Sequence, residues 1–189
     1  ESLRWPAIAQ AYREGRTVAT NGPLLLLSVD GAQPGAEVKV NPGSAVNCAV
    51  EAFSHWGLDE VTVWYNGEAA GKWTPLRGTT IKREQRITVP RSGWIVATAK
   101  GPASGDLMSH PVAAGGPAGQ IAITSPVYIE VPGRPLLPDK QAAAYFVKWI
   151  DATRVGFEAA GGASLPSGLR EQVLRRFAQA RAVYEGKAR

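Results

Sequence analysis

One cysteine, one methionine and two histidines in 189 residues close off much chemistry. A single thiol cannot make an internal disulfide, so Cys48 leaves the redox compartment open. It stands in an alternating stretch, residues 45–52, and reads as a small buried hydrophobe. A nucleophilic thiol needs a neighbouring base, and none is close in sequence. His55 and His110 are far apart and form no His-x-His. Asp106 and His110 supply two ligands at best, where structural zinc takes four. Ser109 beside them completes a Ser/His/Asp set only on paper, because adjacent residues do not form the required hydrogen-bonded chain. No metal site is therefore expected in this chain, and no cofactor. No apolar run approaches the ~20 residues of a membrane helix, and Leu24 to Leu27 is strand-sized. The aromatic and glycine-rich signatures of nucleic-acid binding are missing as well. Neither membrane nor nucleic acid is expected as a partner.

Turns are abundant instead. With 21 Gly, 14 Pro and 44% hydrophobic residues, the composition favours a β body with a real core. The net charge of +5 is concentrated at the end. From Gly161 to Arg189 six basic residues face two acidic ones, and the rest of the chain is nearly neutral. This basic segment reads as the solvated face of a helix.

Trp5 to Arg13 reads as a short helix, with Pro6 in its first turn, Ile8 and Tyr12 on one face, and Gly15 as its stop. Thr17–Thr20 and Leu24–Val29 read as a strand pair or one bent strand around Asn21-Gly22-Pro23. Val46, Cys48, Val50 and Ala52 alternate with Asn47, Ala49 and Glu51, which gives a strand one buried face. Asn66-Gly67 is a strong hairpin signal, and Trp64 and Trp73 on its two arms are placed to face each other. In all, eight to ten short strands follow one another without helical pattern. They predict an antiparallel β-sandwich in immunoglobulin-like style, with a barrel as the alternative. The period changes after Pro138. Asp139 is a fitting N-cap, Phe146, Trp149, Ile150 and Thr153 share a helix face, and Gly161-Gly162 ends that helix. Ser167 is set to cap a second helix carrying Leu169, Val173, Leu174, Phe177 and Tyr184. The expected organisation is a helix over 1–16, a β-sandwich over 17–135 and a helical hairpin over 136–189.

Three blocks also resemble a known family. Gly15-Arg16-Thr17-Val18-Ala19-Thr20-Asn21-Gly22-Pro23, Thr124-Ser125-Pro126-Val127-Tyr128-Ile129 and Ala144-Tyr145-Phe146-Val147-Lys148-Trp149-Ile150-Asp151 occur in the order seen after the metal-binding domain of CehA/McbA-type metallohydrolases. These belong to the PHP phosphoesterase superfamily. The resemblance implies an accessory domain whose catalytic partner precedes it. It also implies a divalent metal in that parent enzyme, which activates water to cleave carbamate or phosphoester-like bonds. Glu1 is not Met and stands in what reads as the end of a helix, which agrees with a longer parent chain or with processing.

Candidate site residues are few. Arg16, Thr20 and Asn21 are the substrate-adjacent candidates. Arg16 carries a planar fork of donors suited to an anionic group, or to a carboxylate between domains. His55 and Trp56 sit in a loop and are candidates for stacking on a sugar or aromatic ligand. The expected role is a non-catalytic domain that borders an active site or mediates domain and subunit contacts, homo-oligomerisation included. A free-standing carbohydrate- or cell-surface-binding module is the alternative. The compartment, bacterial cytoplasm or beyond it, is left open.

Overall fold

The computed structural model describes residues 4–74, 76–103, 111–112, 116–117 and 119–189. Asp106, Ser109 and His110 lie outside the described residues. The chain divides into two compact units, Glu1–Leu136 and Leu137–Arg189. The first is mainly β, with a short N-terminal helix; the second is helical.

Helix α1 (Trp5–Arg13) opens with proline in its first turn. It ends in a Schellman arrangement: Gly15, at φ 69°, donates to the Tyr12 carbonyl and Arg16 donates to that of Ala11. Twelve strands are described. They are β1 (Val18–Thr20), β2 (Leu24–Val29), β3 (Glu37–Lys39), β4 (Ala45–Phe53), β5 (Glu60–Tyr65), β6 (Glu68–Trp73), β7 (Thr80–Thr88) and β8 (Gly93–Ala103). After them come β9 (Pro111–Val112), β10 (Gly116–Pro117), β11 (Gly119–Thr124) and β12 (Val127–Glu130).

Strand β8 organises the larger, seven-stranded sheet. One of its edges takes β11 and then β12, and the other takes β5, which brings β6. Strand β1 closes the sheet beyond β11, and β3 lies beyond β12. The second sheet is β2-β4-β7. Strands β9 and β10 form a separate small pair. Alternation drives the burial: Val46, Cys48, Val50 and Ala52 of β4 point inward while Asn47 and Phe53 point out. Leu25, Val29, Val46 and Val50 of one sheet join Val61, Val63, Ile95 and Val127 of the other in a single core.

Four expectations are corrected here. Strands β1 and β2 do not pair with each other, because β1 joins β11 and β2 joins β4. Asn21-Gly22-Pro23 carries the chain from one sheet to the other. The sheets are not wholly antiparallel, since β3 runs parallel to β12. Trp64 and Trp73 do not oppose each other. Trp64 stands across from Ala69 because the two-residue turn fixes the register there, and Trp73 stands across from Val61 after a bulge beyond Val63 shifts the pairing by one residue. The Asn66-Gly67 turn itself has both residues at positive φ, 51° and 86°, as a tight hairpin requires. The fourth concerns Ser167, which opens a helix rather than capping it.

In the second unit, α2 (Lys140–Ala159) and α3 (Ser167–Ala188) are joined through a 3-10 turn, Gly162–Ser164. Asp139 caps α2, its Oδ1 accepting from the amides of Gln141 and Ala142. Pro166 holds the cap position of α3 and provides no side-chain acceptor. Phe146 stacks on Tyr184 across the seam, and Arg181 and Arg170 of α3 pair with Asp151 and Glu158 of α2. Trp149, expected on the covered face, is exposed. None of the helices is long and apolar enough to cross a membrane.

Candidate functional site

Where α1 gives way to β1, an open groove of about 480 Å³ lies along β2. Arg16, Thr17 and Val18 form one wall, Leu26 and Ser28 the floor, Gln33 and Pro34 one end, and Ala49 and Glu51 the far side. Local chemistry explains the arrangement. The Gly15 stop turns the chain so that Arg16 leaves the helix, and Pro34-Gly35 folds back against the last turn of α1. Gly35 has φ 89°, and a methyl group there would collide with the Glu14 carbonyl oxygen, so only glycine allows the approach.

The groove holds one charge of each sign on apolar ground. Arg16 Nη2 stands 2.6 Å from the Glu14 carboxylate, and both side chains are nearly half exposed. Glu51 is taken by Lys82 from β7. One carboxylate leaves most of the guanidinium fork free for a second anion. The other two named residues are spent on the fold. Thr20 Oγ1 donates to the Pro23 carbonyl at 2.6 Å and accepts from the Gly22 amide at 3.0 Å. Asn21 Oδ1 accepts from the Ile121 amide at 2.6 Å, so its side chain extends the β1–β11 ladder by one rung. Thr17 and Ser125 share a hydroxyl–hydroxyl bond of 2.7 Å, and the Ser125 amide donates to the Thr17 carbonyl. Two of the three resemblance blocks are thus neighbours at the edge of this groove.

His55 and Trp56 do not line it. His55 is exposed in the loop after β4, and its ring meets that of half-buried Trp56 edge-on, with centroids 5.4 Å apart. Cys48 is closed off. Burial, and after it the nearby Asp30, pushes its thiol up to about 12.

Three features escaped the reading of the sequence. Gln120 is buried and accepts from Ser54 Oγ at 2.9 Å, while its Nε2 has no partner among the described residues. Glu60 takes Lys72 at 2.7 Å and Lys100 at 3.2 Å. The Lys72 hydrogen bond, more than the Lys100 one, holds its carboxyl below the usual range. Finally, Trp64, Trp94 and Tyr128 point outward from three adjacent strands, with Tyr128 directly across from Trp94. Trp64 Nε1 donates to Thr98 Oγ1 at 2.9 Å, so the indole lies along the sheet. The signal for this row was in Gly93–Lys100, where both alternating sets are apolar or aromatic up to Ala97.

Among the described residues no group of three or more His, Cys, Asp or Glu is placed to hold a metal ion. The groove's cation is the Arg16 guanidinium, half exposed beside Glu14.

No protein-family model matches this chain, and no curated protein does. Solved structures similar at low identity include these two. One is the sulfur carrier protein SoxY from Chlorobium limicola f thiosulfatophilum, at 12% identity over 69% of this chain and 98% of that one, with a TM-score of 0.34. The other is the solution NMR structure of a CARDB domain from Pyrococcus furiosus, at 18% identity over 58% of this chain and 96% of that one, with a TM-score of 0.30.

Proposed function

We propose that this chain is a non-catalytic accessory module of a PHP-type, metal-dependent hydrolase of the CehA/McbA kind. Its β unit is then an immunoglobulin-like β-sandwich, antiparallel but for its β3 edge. One observation carries the reading. Helix α1 buries none of its residues, and Trp5, Ile8 and Tyr12 form one stripe that is 78%, 47% and 78% exposed. Such a stripe is built to be covered. In the family that the sequence resembles, this helix leads out of the catalytic domain, which is the natural cover. Arg16 then stands at the junction, facing the substrate opening or a carboxylate of the catalytic domain. Thr20 and Asn21 hold the turn that shapes the rim. The divalent metal belongs to the catalytic partner, and no residue here is assigned to it.

The test compares this chain with the protein expressed from its full reading frame, using an aryl carbamate and an aryl phosphodiester with added manganese or zinc. Activity in the longer protein alone is expected, with Arg16→Ala raising KM more than it lowers kcat. Turnover by this chain itself overturns the proposal.

A second reading, a carbohydrate- or cell-surface-binding module, has the row of Trp64, Trp94 and Tyr128 in its favour, with His55 and Trp56 as a further stacking pair. Aromatic faces of this kind stack on sugar rings. Retention on insoluble glycans that is lost in Trp94→Ala would move the assignment to this reading.

A further inference from the structure

The helical hairpin has two unlike sides. On one, Asp151, Glu158, Arg170, Arg181 and Glu185 form interhelical and intrahelical ion pairs. The other carries no carboxylate. There Leu169, Val173, Arg176, Ala180 and Val183 recur at alternating steps of four and three along α3, beside Tyr145, Trp149, Thr153 and Gly156 of α2. Such steps mark a stripe made to pack against another helix. An apolar groove of about 350 Å³ runs along it, lined by Trp149, Thr153, Val173, Arg176 and Ala180. Tyr145, Trp149 and Val183 are each more than half exposed. Within the hairpin only Ala143 and Gly162 are fully buried, too little core for two helices to stand by themselves.

We infer that this side is a self-association face, and that two copies of the chain join through it as an antiparallel four-helix bundle. The shape of the face selects a second copy. The ion pairs Arg181–Asp151 and Arg170–Glu158 fix which residues stand level along the hairpin. Tyr145 comes level with Val183, Trp149 with Ala180, Thr153 with Arg176, and Gly156 with Val173. A twofold axis parallel to the helices keeps these levels and lays α3 of one copy over α2 of the other. The large Trp149 then falls on the small Ala180, Val173 falls on Gly156, and Arg176 falls on Thr153. Two helices of some 30 Å lying 10 Å apart offer a face of roughly 600 Å² per copy. Two such faces reach the lower end of the area buried in stable interfaces, about 1,200 Å² in total.

Sedimentation equilibrium of the full chain at 5–100 μM tests the inference, where those concentrations are about the range that an interface of this size requires. The expected mass is that of two chains. Trp149→Glu with Val183→Glu is expected to weaken the dimer at least tenfold while the helical circular dichroism stays unchanged. Val155→Glu, equally exposed but on the ion-paired side, leaves it intact. A second readout does not depend on weakening the dimer. Chains carrying Thr153→Cys mixed with chains carrying Arg176→Cys should cross-link on oxidation, and Val155→Cys mixed with Arg176→Cys should not. A monomer throughout the range overturns the inference. So does a dimer that survives Trp149→Glu/Val183→Glu, or cross-linking without regard to side.

Discussion

Ser54 and Gln120, 66 residues apart, meet in the closed interior of the β unit, with Ser54 Oγ donating to Gln120 Oε1 at 2.9 Å. Space around the amide is tight: a methyl group on Gly22 would lie 2.7 Å from that same Oε1, and one on Gly101 would lie 3.3 Å from it. Since Nε2 has no partner among the described residues, Ser54→Ala strips the amide of the one side-chain bond described for it. The expected loss is about 1–3 kcal/mol in urea unfolding. Removing both polar groups in Ser54→Ala/Gln120→Leu should cost less than the two single losses added together, by about 1 kcal/mol or more. Strict additivity would show that the two side chains do not act as a pair.

Gly35 joins the groove to the helix that precedes it. Gly35→Ala meets both a positive φ and the Glu14 carbonyl, so α1 must move. A loss of about 2 kcal/mol or more is expected. Hydrogen exchange at Arg16 and Thr17 should rise before that of β4 does, because β4 lies in the core. Equal protection in the variant would mean that the helix tolerates the displacement.

Cys48 should be silent to thiol reagents in the native protein. It is fully buried and its thiol is held near 12, so little thiolate exists at pH 8. Labelling by an aromatic disulfide reagent is expected only after unfolding in denaturant, and its rate in mild denaturant should follow the opening of β2-β4-β7. Rapid native labelling would place the strand outside the core.

Glu60 gives the β unit a definite acid response. Lys72, and then Lys100, favour its charged form, so its folded value lies below its unfolded one. The stability it contributes is fully present above the unfolded value, about 4.3, and is lost as pH falls through the lower folded value. Glu60→Gln should therefore cost about 1 kcal/mol at pH 7 and progressively less as pH falls through the lower folded value. A cost that does not change with pH would assign the effect to packing.

Local signals in the sequence were legible, and distant partners were not. The alternation around Cys48, the Asn66-Gly67 turn, the stop at Gly15 and the Asp139 cap each depend on a few neighbouring residues, and each stands in the structure. The sheet that a strand joins depends on residues far along the chain. Leu24–Val29 read equally well as a partner of β1, yet its hydrogen bonds go to β4. The two-residue turn at Asn66-Gly67 by itself sets Ala69, not Trp73, across from Trp64, and the bulge beyond it then sets Trp73 across from Val61. Ser167 failed as a cap because Pro166 starts the helix one residue earlier than capping chemistry alone suggests. Around the groove, Arg16 stood out by its residue type. The floor and far side come from β2 and β4, and their outward positions could be assigned only once the sheets were known. Gln120 shows the same limit, since a glutamine inside an apolar stretch gives no sign of what it will meet.

The pairing of Asn21 with Ile121, across 100 residues, sets an order of events during synthesis. The first strand leaves the ribosome long before its neighbour β11 exists. Until about residue 125 has emerged, α1, Arg16 and the turn at Asn21 have no sheet edge to dock on, while β4 and β7 can already close on β2. The end of the β unit that carries the groove is therefore the last to be assembled, although it is the first to be made. A chain interrupted before β11 would contain every residue of the groove and still lack the edge that holds it.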